Sequence, residues 1–307
     1  MKTMKFLNCK TCSLALFLVL YFWAGTKINM AQEKPNHPKT HYTAPDGKLY
    51  WNMDLPVYLS ISSSPQGEKQ ALLYKGREKV PFYFTVEGLN YLKTPWAVDK
   101  ETKKTVYPKQ TVNFPIYADG SAPRVSHKFP GAKSYESGKE LFFAENVQFS
   151  LTAQDKYSGT LGIFINTGQQ EFTRYADTLK FTKAGATKIS YYAADNVGNT
   201  SRLKQISFTI DPNPPTSRLE AENCLRGKEN VFSNKSRIKI DAQDDYSGVK
   251  SIFFRINQEK TKLYTGPVSF KNYETGEFTI LYYSIDNVGN KEDEQSYSFY
   301  LDKSPPM

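Results

Sequence analysis

Aspartates at fixed places in two recurring motifs are the residues of this sequence best suited to chemistry. Residues 153–159 read Ala-Gln-Asp-Lys-Tyr-Ser-Gly, and residues 242–248 repeat them as Ala-Gln-Asp-Asp-Tyr-Ser-Gly. Residues 195–199 read Asp-Asn-Val-Gly-Asn, and residues 286–290 repeat them without change. Carboxylate oxygens are hard ligands of the kind that Ca²⁺ prefers. The motifs therefore point to metal binding or to turn formation, and the elements around them must decide between the two.

The two motifs belong to a longer tandem repeat. Asp211 and Asp302 lie 91 residues apart, and each is followed by a pair of prolines. Asp119 precedes Ala122-Pro123 with the same spacing, but its copy lacks both motifs. Recurrence at a fixed period is the signature of an array of similar domains. The predicted organisation is a signal peptide, a flexible leader, a degenerate first repeat, a second repeat, and a third repeat with a Pro-rich tail: 1–31, 32–47, 48–123, 124–215 and 216–307.

Each repeat of about 90 residues has the pattern of short β-strands. Val147, Phe149 and Leu151 alternate with polar residues, and such alternation places one side of a strand in a core. Aromatic residues, which favour strands, make up 14% of the chain. The outward positions are Lys, Arg, Asp, Gln and Ser, unlike the apolar outer face of a membrane barrel. The prediction is an all-β fold of tandem sandwiches.

The motifs taken together resemble a known group of domains. Their order, Asp-x-Tyr-Ser-Gly, Gly-x-x-x-Ile-x-Tyr-Tyr, Asp-Asn-Val-Gly-Asn and Asp-x-x-Pro-Pro, is similar to that of bacterial extracellular immunoglobulin-like tandem repeats. That group includes surface-adhesin repeats labelled outer-membrane β-barrel type and accessory modules beside chitobiase-type glycosidases. The resemblance covers 124–306 in detail and 45–123 in outline. It implies three immunoglobulin-like β-sandwiches that serve as spacers, adhesive modules or carbohydrate-contacting modules.

The strand order of immunoglobulin-like domains suggests how the aspartates meet. It would bring both motifs to the end of a sandwich where the preceding linker enters. Each linker aspartate would then meet one aspartate from each motif. The expected Ca²⁺ sites are Asp119, Asp155 and Asp195 at the first junction, and Asp211, Asp244, Asp245 and Asp286 at the second. Turn chemistry alone is the alternative, because Asp, Asn and Ser side chains bond nearby amides without a metal. No other cofactor is expected.

Aromatic residues supply candidate ligand contacts. Neighbours on a strand face opposite ways, so one ring of a pair such as Phe253-Phe254 points outward. An exposed ring could stack on a sugar or anchor a protein, and packing within the sheet is the alternative. The candidate contacts are Trp51, Trp96, Tyr192, Phe253 and Tyr283. The charged loop 99–109 makes the first repeat the expected site of a specialised contact.

Histidines, cysteines and catalytic motifs give little support to an enzyme. His37 and His41 lie among prolines in the leader, and His127 stands alone. Three cysteines make no disulfide framework, and we expect Cys224 to be a buried thiol rather than a bridge between chains. Neither a Gly-x-Ser-x-Gly elbow, nor a Walker loop, nor a His-Glu-x-x-His motif is present. No catalytic residues are predicted.

The first 31 residues have the features of an export signal. They carry four lysines and no acid, and an uncharged apolar run extends from Ser13 to Gly25. That run is shorter than the roughly 20 residues of a membrane span, so we expect a secretory signal that is cut after Ala31. An uncleaved anchor is the alternative. The mature chain then has 36 basic and 31 acidic residues, a charge of +5, which disfavours a nucleic-acid partner.

The sequence therefore predicts a non-catalytic exported protein with no transmembrane span in its mature chain. It would bind a protein or glycan ligand at the cell surface, or act as a spacer, in the periplasm, on the outer surface or outside the cell. One alternative is a carbohydrate-binding accessory module. Another is a truncated fragment of a larger extracellular enzyme, which the terminal linker from Asp302 to Met307 suggests.

Overall fold

A computed structural model describes residues 34–58, 60–61, 70–71, 81–93, 97–98, 102, 104–106, 113–169, 171–224 and 230–304. The predicted signal peptide 1–31, Trp96 and most of the loop 99–109 lie outside these ranges. The chain divides into two compact units, Met1–Asn36 and His37–Met307. Residues 34–36 of the first unit form no regular element. Every regular element in the described part of the second unit is a β-strand, so the predicted all-β fold is confirmed.

Nine strands build the second repeat as two facing sheets. Its strands are β9 (Arg124–Lys128), β10 (Ser134–Ser137), β11 (Glu140–Phe143), β12 (Val147–Gln154), β13 (Thr160–Asn166), β14 (Thr173–Arg174), β15 (Leu179–Phe181), β16 (Gly185–Asp195) and β17 (Lys204–Ile210). One sheet has the order β10-β11-β17-β16-β13-β14, and the other has the order β15-β12-β9. All pairs are antiparallel except β11 with β17. Two sheets packed face to face form the predicted sandwich.

The described strands of the third repeat follow the same topology, without a counterpart of β10. Its strands are β18 (Thr216–Glu222), β19 (Val231–Phe232), β20 (Arg237–Gln243), β21 (Val249–Ile256), β22 (Lys262–Leu263), β23 (Val268–Ser269), β24 (Gly276–Asp286) and β25 (Gln295–Leu301). The sheets have the orders β18-β20-β23 and β19-β25-β24-β21-β22. The register shifts at the same place in both repeats, between Thr160 and Gly162 and between Val249 and Ser251. The sequence repeat is therefore a structural repeat, down to a shared irregularity.

The cores lie between the paired sheets, as the alternating pattern predicts. Val147, Phe149 and Leu151 of β12 are buried in the second core, and Ile238 and Ile240 of β20 are buried in the third. Burying one such side chain contributes about 1.5–3 kcal/mol. Each core thus stabilises its own repeat without a disulfide.

The first repeat is described less completely. Its strands are β1 (His41–Thr43), β2 (Leu49–Asn52), β3 (Ser60–Ile61), β4 (Gln70–Ala71), β5 (Gly88–Lys93), β6 (Ala97–Val98), β7 (Thr105–Val106) and β8 (Asn113–Asp119). The sheet β1-β2-β8-β5 packs against a small core that includes Ile116 and Ala118. Strand β1 lies in the segment 32–47 that the sequence assigns to a flexible leader. Its backbone pairs with β2 along the edge of this sheet, so this part of the leader has regular structure.

Candidate functional site

The aspartates of the two motifs converge at the junctions between repeats. Asp119, at the end of β8, meets Asp155 and Asp195, and one carboxylate oxygen from each lies within 4.8 Å of the other two. We call these residues the first triad. Asp211, directly after β17, meets Asp244 and Asp286 in the same way, and these three form the second triad. The structure thus brings together the aspartates that the sequence grouped, with one exception.

That exception is Asp245. The sequence analysis included it in the second site as an additional acid, at a position where the preceding repeat has Lys156. In the structure Asp245 is exposed and lies outside the group of converging carboxylates. It follows Asp244 in the turn, where successive side chains point in different directions. Asp245 therefore adds negative charge near the second triad without joining it.

Turn geometry positions the second aspartate of each triad. Asp155 Oδ2 accepts hydrogen bonds from the amides of Tyr157 and Gly159, both at 3.0 Å. Asp244 Oδ2 accepts the equivalent bonds from Tyr246 at 3.2 Å and Gly248 at 2.7 Å. Both glycines have φ of +81°, a conformation that only glycine adopts readily. The Asp-x-Tyr-Ser-Gly motif is therefore an aspartate-capped turn in both repeats.

The Asp-Asn-Val-Gly-Asn motif forms a second kind of turn. Asp195 Oδ1 accepts from the amides of Val197 at 3.0 Å and Asn199 at 2.8 Å. The Asn199 side chain donates to Asp195 Oδ2 at 2.8 Å. In the third repeat, Asp286 Oδ1 accepts from the amide of Asn290 at 2.8 Å, and Asp286 Oδ2 accepts from the Asn290 side chain at 2.7 Å. The first and last residues of the motif therefore lock each other.

The same turns bind the preceding linker at the first junction. The Ser158 amide donates to Asp119 Oδ2 at 3.0 Å. Asn199 Nδ2 donates to the carbonyl oxygens of Asp119 at 3.2 Å and Ser121 at 3.4 Å. A serine amide and an asparagine side chain from one repeat thus hold the end of the repeat before it. We call this pair of residues the junction clamp.

The second junction repeats the clamp. The Ser247 amide donates to Asp211 Oδ2 at 3.0 Å. Asn290 Nδ2 donates to the carbonyl oxygens of Asp211 at 2.8 Å and Asn213 at 3.1 Å. The sequence predicted the meeting of the aspartates but not the role of these asparagines. Their signal was present, because Asn199 and Asn290 occupy the same place in the repeat.

The triads gather buried negative charge. The linker aspartates and those of the Asp-Asn-Val-Gly-Asn turns are fully buried: Asp119, Asp195, Asp211 and Asp286. None of the ion pairs in the described part of the chain involves a triad residue. Burial, together with a smaller effect of the neighbouring Asp119 charge, raises the pKa of Asp195 to about 6. Burial is also the main cause of raised pKa values at Asp119 and Asp286.

Three buried polar atoms near the triads have no hydrogen-bond partner. One is Oδ1 of Asp211, a fully buried member of the second triad. The other two are the hydroxyl oxygens of Ser158 and Ser247, the clamp serines, which are 4% and 6% exposed. A buried acceptor without a donor costs about 1–3 kcal/mol. A bound ligand or a water molecule would give such atoms a partner; otherwise the protein tolerates the energetic cost for the sake of its function.

The candidate aromatic contacts lie in different environments. Phe253 and Tyr283 are half-buried and stack on each other on the side of their sheet away from the third core, with ring centroids 5.3 Å apart. Lys291 Nζ lies 3.9 Å from the centroid of the Tyr283 ring. Trp51 is half-buried against the first core, and its indole Nε1 donates to the Leu55 carbonyl at 3.3 Å. Phe253 and Tyr283 therefore face outward, Trp51 faces the core, and Trp96 lies outside the described residues.

Tyr192 is fully buried, so it cannot present its ring as the sequence analysis proposed. It faces away from the second core, as strand alternation requires, but His37 covers it. His37 Nε2 lies 3.0 Å from the Tyr192 hydroxyl oxygen, and its ring lies 4.7 Å from that of Phe164. A residue of the predicted leader thus covers the surface that sequence periodicity left open.

His127 and Cys224 have packing roles. His127 Nδ1 lies 2.6 Å from the Tyr191 hydroxyl oxygen, and its ring stacks on Phe149 with centroids 5.8 Å apart. Cys224 is half-buried and packs against the third core. Neither residue is among the clusters of potential metal ligands in the described chain.

A row of tyrosines on the first repeat was missed by sequence reasoning. Tyr42 pairs with Tyr50, and Tyr50 pairs with Tyr117, across three neighbouring strands. The ring centroids of Tyr42 and Tyr50 are 6.3 Å apart, and those of Tyr50 and Tyr117 are 5.3 Å apart. Leu89, 46% exposed, continues the row on β5. We call Tyr42, Tyr50 and Tyr117 the tyrosine row. It lies on the face of the sheet opposite the core residues Trp51 and Ala118.

Comparisons with known proteins report likeness of fold. Scans of protein families and of curated proteins found no match. The fibronectin(III)-like modules of Clostridium thermocellum CbhA match with 15% identity and a TM-score of 0.30, over 59% of this chain and 95% of that one. The D00-D0 domain of intimin matches with 12% identity and a TM-score of 0.28, over 59% and 100%. A 1.5-MDa bacterial ice-binding adhesin matches with 12% identity and a TM-score of 0.29, over 64% and 71%.

The described residues contain no helix of the length and apolar character that a membrane span needs.

Proposed function

We propose that the chain is an exported, non-catalytic array of immunoglobulin-like domains that presents binding surfaces, or spaces them, at a bacterial surface or in the periplasm. The observation that carries this proposal is the junction clamp, which recurs at both junctions with the same residue types. A chain whose repeats only had to fold would need no such contacts between them. Clamps that fix one repeat on the next suit a protein whose work depends on the orientation of its domains.

A second set of contacts at the first junction supports the same proposal. Asn52 Nδ2 donates to the Val197 carbonyl and to Asn199 Oδ1, both at 2.9 Å. The Thr40 amide donates to the same Val197 carbonyl at 3.0 Å. A turn of the second repeat is thus held by two segments of the chain before it, in addition to the linker. These bonds resist bending at the first junction in particular.

Export is tested by locating the chain in a bacterium that expresses all 307 residues. Cell fractionation and intact mass are the measurements. The proposal expects a product outside the cytoplasm whose mass corresponds to a chain beginning at Gln32. Retention in the cytoplasm as the uncut chain would contradict it. Degradation of the exported chain by protease added to intact cells would place it on the outer surface, whereas protection would place it in the periplasm.

A carbohydrate-binding module is the second candidate, and the tyrosine row favours it. Sugars present flat apolar faces, and aromatic rings in a row on a sheet provide a matching surface. Lys48 Nζ lies over the Tyr117 ring, 5.7 Å from its centroid, and adds a hydrogen-bond donor beside the row. This row replaces the buried Tyr192 as the preferred aromatic contact.

A glycan array with matched variants tests this second candidate. Tyr50→Ala and Tyr117→Ala remove rings from the row and should abolish glycan binding. Tyr300→Ala removes an exposed tyrosine of the third repeat, 44% exposed, and should leave binding unchanged. If the wild-type chain binds no glycan, or if the three variants lose binding equally, the tyrosine row is not a sugar-binding surface.

A further inference from the structure

We propose that each aspartate triad is a Ca²⁺ site that bridges two consecutive repeats. The ion would bind Asp119, Asp155 and Asp195 at the first junction, and Asp211, Asp244 and Asp286 at the second. The array proposed above does not require these ions, so the two proposals can fail separately.

Distances within the triads fit a cation of this size. Ca²⁺ lies about 2.3–2.6 Å from its oxygen ligands, so two oxygens on one ion are at most about 4.6–5.2 Å apart. The converging carboxylate oxygens of both triads lie within 4.8 Å of one another. The oxygens of each triad are therefore close enough together to bind one Ca²⁺ ion.

Donor chemistry points to the same class of ion. All three side-chain ligands of each triad are carboxylates, without a histidine or a cysteine. Oxygen-only sets favour Ca²⁺, Mg²⁺ or Mn²⁺ over zinc or copper. Three carboxylates also supply more negative charge than one divalent ion needs. The attraction of these carboxylates to the ion offsets the cost of removing it from water.

A second observation separates a metal site from a turn that merely contains acids. Turn chemistry explains Oδ2 of Asp244, which caps its own loop through two amides. It does not explain Asp211, whose Oδ1 is fully buried and has no donor. At both junctions the hydroxyl oxygen of the clamp serine is also buried without a partner, Ser158 at the first and Ser247 at the second. The amide of each serine contacts the carboxylate of the linker aspartate. A bound cation would give the orphaned carboxylate oxygen a partner.

The position of the triads gives the ion a role in the array. Asp211 belongs to the end of the second repeat, whereas Asp244 and Asp286 belong to turns of the third. An ion bound to all three would therefore connect the repeats at the point where Asn290 already bonds the linker. Binding would stabilise the junction, and removal of the ion would leave the clamp to hold it alone.

Calorimetric titration of the mature chain, residues 32–307, with Ca²⁺ after treatment with a chelator tests the proposal. We expect two sites per chain. Asp211→Asn and Asp119→Asn should each leave one site, and the double variant should leave none. Asparagine keeps an oxygen that can accept the serine amide, so the clamp survives the change. Asp245→Asn removes an exposed acid beside the second triad and should leave two sites.

Tb³⁺ provides an independent probe, since it occupies Ca²⁺ sites and emits when a nearby tyrosine is excited. Tyr157 and Tyr246 follow the turn aspartates of the two triads by two residues. We expect sensitised emission that Ca²⁺ displaces and that falls by about half in Asp211→Asn. Extracellular Ca²⁺ modules bind with dissociation constants of about 0.1–1 mM. One such site at about 5 mM Ca²⁺ should lower the unfolding equilibrium constant about sixfold to fiftyfold.

Three results would overturn the proposal. The first is that the wild-type chain binds no Ca²⁺, and the second is that Asp211→Asn still has two sites. The third is that Asp245→Asn loses as much Ca²⁺ binding as Asp211→Asn, which would indicate diffuse attraction to an acidic surface. If Asp211→Asn fails to fold by circular dichroism, Asp244→Asn tests the same site at a half-buried position. A chain that binds no Ca²⁺ but remains exported contradicts only this inference and leaves the array intact.

Discussion

Replacing Asn290 by alanine tests the junction clamp where it is simplest. Asn290 Nδ2 donates to the carbonyl oxygens of Asp211 at 2.8 Å and Asn213 at 3.1 Å, and to Asp286 Oδ2 at 2.7 Å. Alanine leaves the length of the turn unchanged but removes all three hydrogen bonds. Two of them cross from the third repeat to the linker, so the change weakens the turn and the junction together.

The size of the effect follows from those three bonds. The amide group has two hydrogens for three acceptors, so it supplies the equivalent of two full bonds. A bond to a charged carboxylate contributes about 1.5–3 kcal/mol, and a neutral one about 0.5–1.5 kcal/mol. The Asn213 carbonyl belongs to an exposed residue and regains water in the variant. Asn290→Ala should therefore lower the free energy of unfolding of the third repeat by about 2–4 kcal/mol.

Urea unfolding of residues 32–307 is the assay, and two optical signals separate the repeats. Both tryptophans that follow the predicted signal, Trp51 and Trp96, lie in the first repeat. Asn290→Ala should shift the circular-dichroism transition and leave the tryptophan fluorescence transition nearly unchanged. Asn199→Ala at the first junction should shift both signals. Asn213→Ala is the matched control and should stay within about 0.5 kcal/mol of the wild type. If Asn290→Ala and Asn213→Ala have the same free energy of unfolding, the clamp does not stabilise the third repeat.

Two further predictions concern a buried carboxylate and a glycine that lies close to another segment of the chain. Glu292 is 7% exposed and accepts five hydrogen bonds from neighbouring residues. Glu292→Ala should therefore lower the free energy of unfolding of the third repeat by about 3 kcal/mol or more in urea unfolding. A decrease below about 1 kcal/mol would contradict this prediction. Gly198 and Gly289 both have positive φ, but their surroundings differ. A Cβ added at Gly198 would lie 2.5 Å from the Pro38 carbonyl oxygen, whereas a Cβ added at Gly289 would have no atom within 4 Å. Gly198→Ala should therefore be the more destabilising change by at least about 1 kcal/mol in the same assay, and equal effects would rule out close packing at that junction.

The repeats were predictable because each signal is local or recurs at a fixed spacing. Alternation along Val147–Gln154 specifies a strand with one buried side. The aspartates could be grouped because the same turns occur twice and strand order brings their loops to one end. Asp245 shows the limit of that argument, since spacing does not tell which of two neighbouring carboxylates turns inward.

Contacts between distant segments could not be read from the sequence. The tyrosine row depends on the register of three strands, including the parallel pairing of Tyr50 with Tyr117. Tyr192 has the periodicity of an outward residue, but His37, 155 residues away, lies over it, and the rings of Phe164 and Phe172 also pack against it. Strand β1 looks like polar linker, and its pairing with β2 gives it structure. In each case the partner, rather than the local pattern, determines the environment of the residue.

The most direct test of the account is the width of the distance distribution between two spin labels on either side of the second junction. In residues 32–307, labels at Lys180→Cys and Lys260→Cys occupy exposed positions in the second and third repeats, and Cys224→Ser removes the one native thiol of that segment. A junction fixed by the clamp predicts a narrow distribution that broadens in Asn290→Ala. A distribution that is broad in both proteins, or equally narrow in both, would contradict the claim that these side chains set the orientation of the repeats.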